Sequence, residues 1–153
     1  MHAERELVHG TCVALGRRGA LLRGASGSGK SDLALRFLFL ARRGPAAVDA
    51  PGLVADDQVQ LSRDDARVLV SAPQSIHGQM EVRGIGMVAA KPVADAELVI
   101  VVDLVDPAEV ERLPDAIRTT TVLGVELPLV RLAPFENSSP MKLALAITRA
   151  GRT

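Results

Sequence analysis

The sequence predicts an α/β fold in which a mixed sheet with flanking helices surrounds a phosphate-binding loop. An apolar strand runs directly into GASGSGKS at residues 24–31, and an amphipathic helix follows it. Strand-like segments continue from Leu53, and a second helix is predicted from Pro140 to about Arg149. The loop between a strand and a helix indicates a P-loop core. Because strands outnumber helices, an extra antiparallel β-hairpin region is also expected.

The bulk composition limits the classes of protein to consider. At 153 residues the chain predicts one domain, 1–153, that can bury a core without disulfides. The 18 basic and 18 acidic residues cancel, so no net positive charge favours nucleic acid or a membrane surface. Cys12 is the only cysteine, and neither a signal peptide nor a membrane-length apolar stretch is apparent, so the cytoplasm is the expected location.

Before and after the loop, short segments predict regular elements. Leu7 to Leu15 and Ala20 to Arg23 read as strands joined by a turn at Gly16 to Gly19. Asp32 to Arg43 carries apolar residues at helical spacing and ends before Gly44-Pro45. After a loop at Ala46 to Gly52, the segments LVADD, VQLS and RVLVS read as strands, and a turn at Arg63 to Ala66 joins the last two. The later strand-like segments are Met80 to Val88, LVIVV and VELPLVRL. A loop at Pro134 to Pro140 follows them.

GASGSGKS matches the pattern G-x-x-x-x-G-K-[ST] and lies between a strand and a helix, as the motif requires. Glycines let the backbone turn several N–H groups toward one anion, and the helix N-terminus adds a partial positive charge. Lys30 would reach the β- and γ-phosphates, and the Ser31 hydroxyl would hold Mg²⁺. The predicted ligand is a nucleoside triphosphate with magnesium, bound by Gly24, Ala25, Ser26, Gly27, Ser28, Gly29, Lys30 and Ser31.

Phosphoryl transfer also needs a base and carboxylate support for the metal. Asp56 and Asp57 follow a predicted strand, where α/β proteins commonly place site residues. Neighbouring strand residues point to opposite faces, so a regular strand would bring only one of them to the phosphates unless the backbone bends. Asp103, after the apolar run from Leu98 to Val102, is a competing magnesium support.

Further charged residues fit either a site or an ordinary surface. Glu81 and Arg83 in MEVRGIGMV would face one side of a strand, either as site residues or as a solvent-exposed ion pair. His9, in a His-Gly pair, is equally open on sequence grounds.

Taken together, the His-Gly pair at His9, GASGSGKS, LVADD and MEVRGIG resemble, in order and spacing, the catalytic domain of bacterial HPr kinase/phosphorylase. The resemblance covers essentially the whole chain and looks like a short form without the family's N-terminal domain. It implies an ATP- or pyrophosphate-dependent kinase that phosphorylates a serine of the phosphocarrier HPr or a paralogue, regulates a phosphotransferase system and also removes the phosphate. It also implies an oligomer, commonly a hexamer.

By position, the resemblance implies that Asp56 is the base, assisted by His9, and that Arg83 supports the transferring phosphoryl group. It implies magnesium ligands at Ser31, Asp57 and Glu81. One departure concerns the C-terminal loop, where longer members carry Gly-Arg-Asn and this chain has APFENSSP, Ala133 to Pro140. That loop contributes to the partner site in the longer members and has no arginine here, so the departure concerns substrate docking and the reverse reaction. The alternatives are a nucleotide-sensing module and a small-molecule kinase or NTPase.

Overall fold

The computed structural model describes residues 4–40, 50–73, 78–90, 93–114 and 118–150. Within these ranges the chain forms eleven strands and two α-helices. The helices are α1, Lys30–Leu38, and α2, Ser139–Ala150. The strands are β1 Arg5–His9, β2 Thr11–Leu15, β3 Arg18–Arg23, β4 Pro51–Ala55, β5 Gln58–Asp64, β6 Arg67–Ser71, β7 Gln79–Val82, β8 Gly86–Ala89, β9 Ala96–Leu104, β10 Arg118–Val122 and β11 Val125–Leu132.

Nine strands form one mixed sheet. Seven of them lie in the order β1-β5-β6-β9-β3-β2-β4. The other two are β11, which also pairs with β9, and β10, which pairs with β11. Strands β3 and β11 both run parallel to β9, while β2 is antiparallel to both β3 and β4. Consequently β3, β4, β9 and β11 all point the same way. Their carboxyl ends share one edge of the sheet, which is where α/β folds bind ligands.

The core lies on both faces of the sheet. On one face α1 and α2 pack over buried residues such as Phe37, Leu22 and Ile147. On the other face the curl of β5 and β6 covers a second cluster that includes Cys12, Val101 and the end of β4. Burial at about 25 cal/mol per Å² of apolar surface makes these two clusters the main source of stability. The strands that carry the shared edge are therefore held rigidly from both sides.

The predicted fold class is confirmed, with differences in detail. The segment Leu7 to Leu15 divides at Gly10, whose added Cβ would lie 3.0 Å from the Leu22 carbonyl oxygen. Strand β1 then pairs with β5, while β2 pairs with β3 and β4. The hairpin of β5 and β6 is confirmed. The segment Met80 to Val88 forms the separate two-stranded sheet of β7 and β8.

Other boundaries also shift. Helix α1 begins at Lys30 and ends at Leu38, because Phe39 and Leu40 donate their N–H groups three residues back and tighten the last turn. The rest of the predicted helix, 41–43, lies outside the described residues, as do 46–49 of the loop predicted before β4. That strand already includes Pro51 and Gly52. Helix α2 begins at Ser139, one residue earlier than predicted. Within the described ranges, neither helix has the length and hydropathy that a membrane crossing requires.

Candidate functional site

The phosphate loop lies between the end of β3 and the start of α1. Gly27 and Gly29 have φ angles of 83° and 98°, in the left-handed region that glycine adopts without penalty. Lys30 folds back over the loop, and its Nζ donates to the carbonyl oxygens of Gly24 at 2.7 Å and Ala25 at 2.9 Å. The side chain is buried, with only 8% of the residue exposed. A fixed positive charge is therefore built into the loop.

The loop fits a polyphosphate. A Cβ added at Gly27 would meet nothing within 4 Å, so the space beside this glycine is open. Gly29 is the N-cap of α1 and has no side chain to accept hydrogen bonds from the first N–H groups of the helix, which leaves these donors available to an anion. The Ser28 hydroxyl is buried without a hydrogen-bond partner among the described residues. These donors, together with Lys30, suit the β- and γ-phosphates of a nucleotide.

Asp56 and Asp57 lie directly beside this loop, at the carboxyl end of β4. The Ser31 hydroxyl donates to Oδ1 of Asp56 at 2.8 Å, and the Thr11 hydroxyl donates to the same oxygen at 3.1 Å. Ser31 is the hydroxyl that the motif assigns to magnesium. Asp56 is therefore the carboxylate closest to the expected position of the cation.

The backbone bends sharply at Asp57. Its φ is 73°, and the Gln58 N–H donates to the Asp56 carbonyl at 2.9 Å, which is the hydrogen-bond pattern of a γ-turn. A second bond, from the Gly10 N–H to the Asp57 carbonyl at 3.0 Å, fixes the turn against β1. This left-handed conformation costs a non-glycine residue about 1–3 kcal/mol, and such strain concentrates at functional sites. Because of this bend, the Asp56 and Asp57 side chains do not simply point to opposite faces of a strand.

His9 contacts Asp57, whereas the sequence interpretation paired it with Asp56. Its Nε2 lies 3.0 Å from Oδ1 of Asp57, at the end of β1. The Asp57 side chain is 72% exposed and that of His9 is 53% exposed, so both are accessible to a large substrate. The pair forms a carboxylate held by an imidazole at the open side of the loop. This is an arrangement that can accept a proton from a hydroxyl group.

The competing magnesium residue, Asp103, is engaged elsewhere. Arg23 holds it in a two-pronged ion pair, with Nε 2.8 Å from Oδ1 and Nη2 3.1 Å from Oδ2. Both carboxylate oxygens are therefore already used by a cation. The geometry favours Asp56 over Asp103 as the carboxylate of the phosphate site.

Glu81 and Arg83 lie in the separate hairpin. Glu81 is exposed on β7, and Arg83 follows the strand in the turn that leads to β8, so strand alternation does not align them. Neither side chain makes a hydrogen bond or ion pair with another described residue, and among those residues there is no preformed cluster of three or more His, Cys, Asp or Glu side chains suited to a metal. Magnesium commonly uses one or two carboxylates, with waters and phosphates as its other ligands. A magnesium site formed by Ser31 and Asp56 is compatible with that coordination preference.

Sequence reasoning missed the contribution of the segment after β11. Arg36 of α1 donates to the carbonyl oxygens of Pro134 and Glu136, which fixes this segment beside the loop. The ring of Phe135 would lie 2.8 Å from a Cβ at Gly29, so it rests directly against the phosphate loop. Phe135 lies in APFENSSP, the stretch singled out as a departure from the family pattern. An aromatic residue in this stretch was the sequence feature that could have indicated the contact with the loop.

The mixed sheet, its two helices and the GASGSGKS loop between β3 and α1 define an α/β domain that carries the P-loop sequence motif. The profile of the family described as "HPr Serine kinase C-terminal domain" matches residues 1–146, and the chain belongs to this family. A relative named HPr kinase/phosphorylase from Chlorobium phaeobacteroides is 40% identical over 139 residues, covering 83% of this chain and 40% of the relative. One from Limosilactobacillus reuteri is 34% identical, covering 84% and 41%.

Among solved structures, the chain is similar to the Hpr(Ser) kinase/phosphatase from Coxiella burnetii, with a TM-score of 0.71 and 23% identity over 94% of this chain and 89% of that chain. This likeness confirms the fold, and the family profile confirms the resemblance inferred from the motifs. The chain spans about two fifths of the length of the curated relatives that it matches.

Proposed function

We propose that this chain is an ATP-dependent protein serine kinase domain that acts on the phosphocarrier HPr or a paralogue. Membership in the HPr serine kinase family and the names of the relatives support the substrate. The observation that carries the reaction is the division of labour between adjacent carboxylates. Asp56 contacts the Ser31 hydroxyl of the phosphate loop, and Asp57 faces outward with His9.

In this proposal the roles of the two carboxylates differ from those first inferred. Asp57 accepts the proton of the carrier's serine hydroxyl as the serine oxygen bonds to the transferred phosphorus and the bond to the leaving phosphate breaks. His9 orients the Asp57 carboxylate. In the reverse direction Asp57 returns the proton to the serine oxygen. A positioned base of this kind is typically worth about 10² to 10⁴ in rate.

The loop and Asp56 hold the phosphates and the cation. The backbone N–H groups of 24–31 and Lys30 would bind the phosphates, and Ser31 and Asp56 would hold magnesium, either directly or through water. Magnesium, when bound, neutralises charge on the phosphate oxygens. Glu81 and Arg83 stay proposed contributors to metal and phosphoryl stabilisation.

The test is incubation of the protein with ATP, Mg²⁺ and purified HPr, followed by mass spectrometry of the carrier. A phosphoserine on HPr that is absent with the Asp57→Asn variant is the expected result. Nucleotide binding without transfer would instead favour a nucleotide-sensing module. Hydrolysis, or transfer to a metabolite alone, would favour a small-molecule kinase or NTPase. Adding inorganic phosphate to phosphorylated HPr tests the reverse reaction, and the oligomeric state stays a prediction.

A further inference from the structure

A cavity of about 390 Å³ opens beside the phosphate loop at the carboxyl edge of the sheet. Three segments form it: Ser28 of the loop, the residues after β9 from Val105 to Pro107, and the residues after β11 from Ala133 to Glu136. Because β3, β9 and β11 run parallel, these segments leave the sheet side by side. The cavity is thus continuous with the predicted phosphate site, and its volume falls in the range of small-molecule sites.

The chemistry of this cavity differs from that of the loop. Its charged lining residues are the acidic Asp106 and Glu136, and no Lys or Arg is among the described residues that line it. It therefore does not suit phosphate. Its apolar walls, Leu104, Val105, Pro107 and Pro134, suit a flat uncharged ring, and its carboxylates can accept hydrogen bonds from amino or hydroxyl groups.

Phe135 supplies an aromatic surface at the junction between the cavity and the loop. Its ring contacts Gly29, which has no Cβ to hold it away, and the residue is 68% exposed. Arg36 fixes the backbone on both sides of Phe135 through the Pro134 and Glu136 carbonyls. A large apolar side chain that is exposed, yet held on a fixed backbone beside a phosphate site, has the features of a stacking platform.

We propose that this cavity is the nucleoside subsite and that Phe135 stacks on the purine base of the bound nucleotide. Oδ1 of Asp106 already accepts the Ala108 N–H at 3.2 Å, and Oε1 of Glu136 is paired with Lys142 at 2.9 Å. The second oxygen of each carboxylate then accepts hydrogen bonds from the base amino group or the ribose hydroxyls. This inference rests on the proposed function, because it presumes that the loop holds a nucleoside triphosphate. The subsite would give a nucleotide contacts that bare pyrophosphate lacks.

The test compares two ligands that share phosphates and differ in the nucleoside. Dissociation constants of Mg-ATP and Mg-pyrophosphate are measured by calorimetry for the wild type, Phe135→Ala and Phe135→Trp. Loss of base stacking is expected to weaken ATP binding by about 5- to 150-fold in Phe135→Ala. Pyrophosphate affinity should stay within about twofold, and Phe135→Trp should retain ATP affinity. Phe39→Ala is the matched control, because Phe39 is 83% exposed and does not line the cavity.

The outcomes separate this inference from the proposed function. If the wild type binds neither ligand, the phosphate site itself is wrong and the inference fails with it. If Phe135→Ala weakens both ligands equally, Phe135 only supports the loop and the subsite is refuted. If ATP affinity is unchanged while KM for HPr rises, the cavity belongs to the protein substrate, and the inference is again refuted. A thermal melt of each variant verifies that the comparison is made on folded protein.

Discussion

Replacing Asp57 with asparagine should impair a different step from replacing its neighbour Asp56. In Asp57→Asn the backbone is undisturbed, because asparagine tolerates the φ of 73° about as well as aspartate does. The amide oxygen can still accept the His9 hydrogen bond that now spans 3.0 Å. Only the negative charge and the basicity are lost. Transfer to HPr should therefore fall by about 10² to 10⁴, while Mg-ATP affinity stays within about twofold.

Asp56→Asn removes the charge next to the Ser31 hydroxyl instead. Mutating a residue that orients a metal ligand typically weakens metal affinity by about 10- to 100-fold. The magnesium concentration needed for half-maximal activity should rise by about that factor, and saturating magnesium should restore part of the rate. The assay is phosphoserine formation on HPr as a function of magnesium concentration, with ATP binding measured separately by calorimetry.

Asp65→Asn is the matched control, because Asp65 also has a left-handed φ, 58°, but lies in the exposed turn between β5 and β6. It should change neither parameter. The reasoning is refuted if Asp57→Asn transfers phosphate at a near-normal rate. It is equally refuted if Asp56→Asn loses turnover at every magnesium concentration, since Asp56 would then be the base that the sequence alone suggested.

Three further substitutions or treatments test other parts of the structure. Asp103→Asn should change the rate of phosphate transfer by no more than a few-fold. It should lower the free energy of unfolding in a urea melt by at most about 1 kcal/mol, because its partner Arg23 is partly exposed. A loss of activity would instead make Asp103 the carboxylate that holds the metal. Gly29→Ala should lower the free energy of unfolding by about 1–2 kcal/mol from the left-handed φ alone, with loss of ATP binding, and an unchanged urea midpoint would count against the described loop. Burial raises the pKa of the Cys12 thiol far above its ordinary value, so the folded protein should resist thiol reagents. Because the unfolded chain ionises this thiol from about pH 8.5, the contribution of Cys12 to the free energy of unfolding should fall as pH rises above that value and should be constant at lower pH. Rapid labelling of Cys12 at pH 8 without unfolding would contradict this burial.

Local patterns predicted most of the fold. The phosphate loop needs glycines, lysine and serine at fixed spacing between a strand and a helix, and Gly24 to Ser31 occupies that position in the structure. The β5–β6 hairpin is equally local, since its alternation and turn lie within fourteen residues, Gln58 to Ser71. Strand β10 was missed because RTTTV carries little apolar alternation, and it is held by pairing with β11.

The site was less predictable because it depends on contacts between distant segments. Nothing in the local pattern of LVADD specifies the γ-turn at Asp57, which depends on the Gly10 N–H, 47 positions earlier in the chain. Likewise, Phe135 reaches the loop only because Arg36 fixes its segment from another element.

The turn at Asp57 also explains why the roles of the two carboxylates cannot be assigned by sequence order. In a regular strand, Asp56 and Asp57 would point to opposite faces, and one of them would lie away from the phosphates. The left-handed φ of Asp57 instead leaves Asp56 against Ser31 and turns Asp57 toward His9 at the open side. A substitution that removes this turn without removing either carboxylate should therefore impair transfer. Gly10→Ala is such a change, since its Cβ would lie 3.0 Å from the Leu22 carbonyl oxygen and would displace the N–H that holds the turn. Single-turnover transfer should slow although Asp56, Asp57 and His9 are all present, and an unchanged rate would mean that the turn has no part in positioning the base.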